Sequence, residues 1–155
     1  SCMKAVFRWA APQDAPAIAG LFEEMLRTIY GKEQVEGYPS GYLDRFFSGG
    51  EDRILVAECQ SQVMGFLSLE SHRETPPCFL YLDDFSVTAA YRGQGLGSHL
   101  LDLGEEYAAR LGLGEIHLHV ERDNLAARRL YQSRGFELLE DQGARLLLKK
   151  DLHSS

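Results

Sequence analysis

The chain has 155 residues, of which 45% are hydrophobic and 25% are charged, and this composition is typical of one globular domain with a buried core. We expect that domain to cover residues 1–155, with residues 1–3 and a tail at 153–155 outside its packed part. No apolar run approaches the ~18 residues of a membrane-crossing helix, and the first residues lack the apolar core of a signal peptide. We therefore expect a cytoplasmic protein without a membrane partner.

The distribution of charge excludes a further class of partner. The formal net charge is −7, the wrong sign for a protein that mainly binds phosphate backbones, so we expect no nucleic-acid partner. Residues 1–91 hold 7 basic and 13 acidic side chains, whereas residues 92–155 hold 9 and 10. An anionic ligand would therefore favour the second part of the chain, and the acidic first part would attract cations.

The first third of the chain predicts a strand and then a helix. Residues 4–9 predict the strand, and Pro16 stands where the first turn of a helix tolerates proline, with Asp14 as the polar residue before it. A Gly- and Tyr-rich segment at 30–52, with a short amphipathic piece at 42–47, is typical of a mobile lid or substrate loop. The apolar residues of the helix recur at spacings of three and four, which predicts a stripe facing a core: Ile18, Leu21, Phe22, Met25, Leu26 and Ile29.

The remaining pattern predicts a sheet with helices returning between its strands. In chain order it indicates a hairpin of strands at 53–59 and 63–69, a strand at 79–87, a helix from Leu96 that stops at Gly112, a buried strand at 116–121, a short helix from about Leu125 to Arg134, and strands at 136–139 and 144–150. The order β-α-(α)-β-β-β-α-β-α-β-β favours a mixed α/β sheet over a helical bundle or a sandwich.

The most informative segment is the turn that leads from the strand at 79–87 into the next helix, Arg92-Gly93-Gln94-Gly95-Leu96-Gly97-Ser98. Glycines let the backbone approach an anion closely, while the first N–H groups and the positive end of a helix stabilise phosphate charge. The string lacks the Gly-Lys-Ser/Thr ending of a Walker loop, and a dinucleotide fingerprint read from Gly93 would place Ser98 on its last glycine. A turn that merely joins strand and helix is the alternative.

Two motifs resemble the GNAT superfamily of N-acetyltransferases. Arg92-x-x-Gly95-x-Gly97 is similar to that family's acyl-CoA pyrophosphate motif. The string Asn124-Leu125-Ala126-Ala127-Arg128-Arg129-Leu130-Tyr131-Gln132-Ser133-Arg134-Gly135-Phe136 is similar to its second signature. The resemblance implies a single-domain α/β (α+β type) fold with a mostly antiparallel mixed sheet flanked by helices. It also implies acetyl-CoA as co-substrate, no metal, and a homodimer.

A closer resemblance is to the diamine (spermidine/spermine and thialysine) acetyltransferase branch. Residues 80–87, Leu-Tyr-Leu-Asp-Asp-Phe-Ser-Val, are similar to that branch's L-Y-L-E-D-F-x-V segment, and residues 33–35 also resemble it. The chain has Ile29 and Gly143 where the branch carries further acidic residues, and Arg145 where it carries an aromatic. The resemblance implies a small cationic amine as acceptor.

Acetyl transfer from a thioester to an amine needs a neutral nucleophile and a proton for the departing thiolate. An alkylammonium has a pKa of about 10.4, so a proton must first be removed, and Asp83 is our candidate base, acting directly or through water. In a strand, Tyr81, Asp83, Phe85 and Val87 share one face, while Leu82 and Asp84 point to the other. We expect Asp84 to orient the acceptor ammonium.

The family resemblance implies the remaining roles. Tyr131 occupies the position of the general acid, and Glu33 and Asp84 join Asp83 as substrate-binding residues. Backbone groups of Phe85 and Val87 would bind the pantetheine arm as an added strand. The full set of implied cofactor contacts is Phe85, Ser86, Val87, Arg92, Gly93, Gln94, Gly95, Leu96, Gly97, Ser98, Asn124, Ala127 and Tyr131.

Other interpretations stay open. An enzymatic alternative is acetylation of a protein N-terminus or lysine, and a non-enzymatic one is an acyl-CoA-binding sensor. His117 and His119 alternate with core residues and have no further ligands at metal spacing, so we predict no zinc site. The cysteines are odd in number and lack metal or redox spacing, which predicts no disulfide framework.

Overall fold

The computed structural model describes residues 4–152, so the expectations for residues 1–3 and 153–155 lie outside the described part. The elements follow the predicted order, and most bounds agree within two residues. They are β1 (Ala5–Trp9), α1 (Ala15–Tyr30), a 3₁₀ turn (Tyr42–Phe47), β2 (Arg53–Cys59), β3 (Gln62–His72), β4 (Phe79–Val87), α2 (Leu96–Arg110), β5 (Glu115–Glu121), α3 (Leu125–Ser133), β6 (Glu137–Asp141) and β7 (Arg145–Asp151).

The seven strands form one mixed sheet in the order β1-β2-β3-β4-β5-β7-β6. β4 and β5 run parallel, whereas β1 with β2, β2 with β3, β5 with β7 and β6 with β7 are antiparallel. The parallel pairing runs from Phe79 opposite Glu115 to Leu82 opposite Leu118. The prediction of a mostly antiparallel mixed sheet with flanking helices is therefore confirmed.

The chain divides into two compact units. Among the described residues, the first comprises 4–69 and Asp84–Gly104, and the second comprises Glu70–Asp83 and 105–152. Strands β3 and β4 each contribute residues to both units. The single domain expected from the sequence stays a prediction.

The core of the first unit joins α1 to β2, β3 and the segment that follows α1. Leu43 and Phe46 of the 3₁₀ turn are buried in it, so this part of the predicted lid is packed onto the core. The predicted stripe of α1 is correct at its start, but Ile29 is 52% exposed, since the stripe leaves the core before the last turn. The buried members of the cluster are Ile18, Leu21, Leu43, Phe46, Ile54, Val56 and Phe66.

Two local features of the first unit differ from expectation or extend it. Asp14 stands at the N-terminus of α1 but makes no capping bond; its carboxylate accepts hydrogen bonds from Arg8 at 2.8 and 3.0 Å. The hairpin between β2 and β3 turns at Gln60 and Ser61, and both residues have positive φ. A two-residue hairpin turn whose twist matches that of its strands requires this conformation. Cys59 beside this turn is disulfide-bonded, a bond that the cysteine spacing did not indicate.

The second unit buries both faces of β5. Ile116, Leu118 and Val120 are buried as predicted, but His117 on the other face is also only 7% exposed, because its ring stacks on Phe79 with centroids 3.7 Å apart. Helix α2 ends at Arg110, and Gly112, the predicted stop, follows with a φ of +73° that suits a glycine reversing the chain. None of the helices within residues 4–152 is both long and apolar enough to cross a membrane.

Candidate active site

The alternation predicted for β4 is present. Leu80, Leu82 and Ser86 are buried on one face, whereas Tyr81, Asp83 and the other residues of the second face are half-buried. Ser86, implied as a cofactor contact, therefore points its side chain away from the face of Phe85 and Val87. Its backbone can still bind a ligand, but its hydroxyl lies on the opposite face.

The Gly-rich turn follows β4 in the first unit and has the geometry of an anion site. Gly93 and Gly95 have φ values of +78° and +83°, a region that side-chain-bearing residues rarely adopt. Helix α2 begins at Leu96, so the amides of its first turn have no carbonyl within the helix to bond. The side chain of Leu96 is buried and anchors the start of the helix. The backbone of the turn is open to a ligand, because four of its residues are exposed: Gly93, Gln94, Gly95 and Ser98.

Gly97 has a packing role in the first turn of α2. A Cβ at this position would lie 3.1 Å from the ring of Phe85 and 3.8 Å from the side chain of Val87. A side chain at this position would require the Phe85 ring to move by a few tenths of an ångström, so glycine suits the close packing of α2 on β4. The turn is thereby fixed next to the half of β4 that the family resemblance assigns to the pantetheine arm.

Arg92 is oriented by two contacts within the first unit. Its Nε donates to the carbonyl of Val87 at 2.9 Å, and its Nη2 lies 3.9 Å from Oε2 of Glu24. Glu24 also accepts hydrogen bonds from the Thr88 hydroxyl at 2.9 Å and the Ala89 amide at 3.2 Å. Because of these contacts, the guanidinium is held beside the turn at the end of β4.

Asp84 is supported by side chains from two other segments of the first unit. The hydroxyl of Tyr38 donates to its Oδ2 at 2.7 Å. The Asp84 amide donates to Oγ of Ser68 at 2.8 Å, and the same Oγ donates to the Asp84 carbonyl at 3.3 Å. Ser68 is 1% exposed, so a buried hydroxyl of β3 fixes the backbone from which the carboxylate projects.

In the second unit, Asn124 and Ala127 form the start of α3. Oδ1 of Asn124 accepts a hydrogen bond from the Ala127 amide at 3.1 Å, so Asn124 is the N-cap of the helix. The family motif at these positions therefore has a structural reason of its own. The proposed contact of Asn124 with the cofactor arm would come from the rest of its amide or from its backbone.

Tyr131 lies on α3 and is 9% exposed, with its ring edge-to-face against Phe136 at a centroid distance of 5.6 Å. Burial raises the pKa of its phenol to about 12, and the nearby charge of Arg134 opposes that rise. The phenol is therefore protonated throughout the physiological pH range. It can donate a hydrogen bond, but it is a weaker acid than the value of about 10 for an exposed tyrosine.

The second unit contains a polar chain that the sequence analysis missed. The hydroxyl of Tyr81 and Nδ1 of His119 are 2.5 Å apart, and Nε2 of His119 lies 2.9 Å from Oε1 of Gln142. Since the Gln142 oxygen only accepts, Nε2 carries the proton and Nδ1 accepts from Tyr81. Burial and the charge of Arg145 lower the pKa of His119, while burial and Asp83 raise that of Tyr81 to about 12.

A signal for this chain was present in the sequence. Tyr81 shares its strand face with Asp83, and His119 faces outward from the neighbouring strand, but a pairing of β4 with β5 was needed to connect them. Asp83 itself is half-buried, and Glu33 is exposed three residues after α1. Across residues 4–152, no three or more His, Cys, Asp or Glu side chains are grouped so that they could hold a metal ion.

A mixed sheet whose fourth strand leads into a glycine-rich, arginine-bearing helix start is suited to binding a phosphate-bearing ligand. The acetyltransferase (GNAT) family model matches residues 22–136 of the chain. Over 138 residues the chain is 31% identical to the uncharacterized N-acetyltransferase YhfO of Bacillus subtilis, covering 88% of this chain and 91% of that relative. The chain therefore belongs to the acetyltransferase (GNAT) family.

Solved structures share the fold. One is the PaiA N-acetyltransferase of Thermoplasma acidophilum in complex with coenzyme A, with a TM-score of 0.78 and 19% identity over 96% of this chain and 99% of that one. Another is Arabidopsis thaliana Naa50 in complex with the bisubstrate analogue CoA-Ac-MVNAL, with a TM-score of 0.73 and 20% identity over 94% of this chain and 97% of that one. At these identities the likeness shows the fold alone.

Proposed function

We propose that the chain transfers the acetyl group of acetyl-CoA to a primary amine of a small cationic acceptor, by direct attack within a ternary complex. Membership of the acetyltransferase family supports acetyl-CoA as the donor. The observation that carries the choice of acceptor is the supported Asp84, whose carboxylate accepts from Tyr38 and whose backbone is bonded by Ser68, in an acidic part of the chain. A fixed carboxylate binds an ammonium group by a charge-assisted hydrogen bond.

The Gly-rich turn binds the pyrophosphate of the donor in this proposal. The amides of Gly93 to Ser98 supply the donors and Arg92 supplies positive charge. Backbone groups of Phe85 and Val87 bind the pantetheine arm. The Val87 carbonyl already accepts from Arg92, so its second lone pair is the one that remains for the arm.

The reaction forms one carbon–nitrogen bond and breaks one carbon–sulfur bond. The acceptor ammonium first loses a proton, and its nitrogen then forms a bond to the acetyl carbon. As the tetrahedral intermediate collapses, the carbon–sulfur bond breaks, the nitrogen loses its second proton to give the amide, and the thiolate gains one proton to give the thiol. Asp83 takes the first proton, directly or through water, and Tyr131 donates a hydrogen bond or a proton to the departing thiolate. His119 is a second proton acceptor through Tyr81, because its lowered pKa keeps the imidazole neutral near pH 7.

Acetylation of a protein N-terminus or lysine is the second candidate function. The Naa50 structure holds an analogue in which CoA is joined to MVNAL, so this fold is compatible with a peptide acceptor. A sensor that binds acyl-CoA without chemistry is less well supported, since the chain retains Asp83, Tyr131 and the Tyr81–His119 pair. The diamine branch, a homodimer and a cytoplasmic location rest on resemblance and composition, and sedimentation of the purified protein tests the dimer.

The test is release of free thiol from acetyl-CoA across putrescine, spermidine, thialysine, lysine, aminoglycosides and peptides. We expect turnover of a cationic amine, with a large loss of kcat in Asp83→Asn and Tyr131→Phe. A loss of kcat in Tyr81→Phe as well would show that His119 accepts a proton through Tyr81. Acetylation of peptides alone would favour the second candidate, and acetyl-CoA binding without any turnover would favour the sensor.

A further inference from the structure

The segment after α1 contains a tyrosine in an unusual setting. The ring of Tyr38 is stacked between Phe22, at a centroid distance of 3.9 Å and 7° from parallel, and Tyr42, at 4.9 Å and 6°. A ring covered on both faces by parallel rings has little freedom to tilt or shift. The position of its hydroxyl is therefore set by the stack rather than by solvent.

The backbone next to Tyr38 is fixed as well. A Cβ on Gly37 would lie 2.7 Å from Oε2 of Glu23 and 3.0 Å from that side chain's Cγ, so the segment lies directly against α1 at this point. Leu43 and Phe46 anchor the following 3₁₀ turn in the core. The segment that holds Tyr38 is therefore fixed on both sides of the aromatic stack.

Two hydroxyl groups from two segments make three hydrogen bonds to Asp84. The Tyr38 hydroxyl donates to the carboxylate at 2.7 Å, and Oγ of Ser68 bonds both the amide and the carbonyl of the same residue. A surface aspartate that only solubilises a strand needs none of this support. A stacked phenol that bonds its carboxylate and a buried hydroxyl that bonds its backbone are typical supports of a group whose orientation matters for binding.

We propose that Tyr38 is a positioning residue for acceptor recognition, which acts by holding the Asp84 carboxylate in the orientation that binds an ammonium group of the amine. The inference rests on the proposed function, since it assumes a cationic acceptor at Asp84. It assigns acceptor specificity to the segment between α1 and β2. Tyr38 itself does not touch the reacting atoms.

The chain offers a matched pair of variants. Tyr38→Phe keeps the stacked ring and removes the hydroxyl that bonds Asp84. Tyr42→Phe removes a hydroxyl from the neighbouring ring of the same stack, where it accepts from Arg45 Nη2 at 3.3 Å. Steady-state kinetics with acetyl-CoA and the best amine of the wild type compare the two, and melting curves verify that both variants fold.

We expect Tyr38→Phe to raise KM for the amine about tenfold, because a hydrogen bond to a charged group is lost. KM for acetyl-CoA should stay unchanged, and Tyr42→Phe should match the wild type. In an Asp84→Asn background the Tyr38 substitution should have no further effect on KM for the amine, since the two residues act as a unit. A purely structural role for Tyr38 would produce additive losses.

The outcomes separate this inference from the proposed function. If the wild type acetylates an amine but Tyr38→Phe behaves like Tyr42→Phe, the role of Tyr38 is refuted and the proposed function stands. Equal rises in KM for both substrates, or additivity with Asp84→Asn, have the same meaning. If the wild type acetylates no amine, both the proposed function and the role of Tyr38 are refuted.

Discussion

Replacement of Tyr131 by phenylalanine tests how the leaving thiolate is stabilised. The phenol has a pKa of about 12. A thiol ionises near pH 8.5, so complete proton transfer to the thiolate is uphill by roughly 3.5 pKa units, or about 5 kcal/mol. A hydrogen bond from the phenol to the developing charge avoids that cost and contributes about 1.5–3 kcal/mol. We therefore expect kcat to fall by about 10- to 100-fold, which is less than the upper range for general acid catalysis.

The assay is thiol release at saturating concentrations of both substrates between pH 6 and pH 10. KM for acetyl-CoA should change little, and the ratio of variant to wild-type rates should be constant with pH, because Tyr131 stays protonated over this range. Tyr107→Phe, a change at another buried tyrosine, is the matched control and should keep full activity. An unchanged kcat in Tyr131→Phe, or a wild-type rate that falls above pH 8 only when Tyr131 is present, would refute the reasoning.

Three further predictions concern stability and the Gly-rich turn. Burial raises the pKa of the Tyr131 phenol from about 10 to about 12. Its contribution of roughly 3 kcal/mol to the free energy of unfolding is therefore complete below pH 10 and is lost between pH 10 and 12. In urea unfolding at pH 9 to 11, the free energy of unfolding should fall less steeply with pH in Tyr131→Phe than in the wild type. The hydrogen bond from Arg8 lowers the pKa of Asp14, so the stabilisation by this carboxylate is present above pH ~4 and is lost as the pH falls through the lowered value. Asp14→Asn should lower the free energy of unfolding by about 1–3 kcal/mol at pH 7, and this free energy, measured in urea, should then depend less on pH in the acid range. Gly95→Ala should cost about 1 kcal/mol and raise KM for acetyl-CoA, since φ is +83° there, whereas Gly114→Ala, with the same open surroundings, should leave both unchanged.

Much of the fold followed from local signals in the sequence. Helix α2 and its stop at Gly112, the strand β4 and the order of elements depend on periodicity and on glycine, which act over a few residues. The prediction that Ile29 faces the core was wrong, because the burial of the last turn of α1 depends on which other segments pack against it. Asp14 precedes α1 as predicted, but its carboxylate accepts from Arg8 on β1 and from the Ala11 amide instead of from an amide of the helix.

The candidate site was predictable where one strand or one turn supplies the residues. The alternation of β4 separated Asp83 from Asp84, and the turn at 92–98 carried its own motif. The supports of Asp84 were not predictable, because Tyr38 is 46 positions away and Ser68 is 16 positions away in the chain. The Tyr81–His119 pair likewise depends on the parallel register of β4 and β5, which the sequence alone does not specify.

The adjacent carboxylates of β4 have different surroundings, and this difference argues for different roles. Asp83 shares its strand face with Tyr81 and raises the pKa of that phenol, so its negative charge acts on a group that is bonded to a neutral histidine. Asp84 points to the other face, where a phenol donates directly to it. A carboxylate that accepts a fixed hydrogen bond is suited to binding an ammonium, because the bond favours its ionised form and orients it. A carboxylate beside a protonatable network is suited to moving a proton. Because successive side chains of a strand alternate between faces, exchange of the two roles would require a one-residue shift in the register of β4.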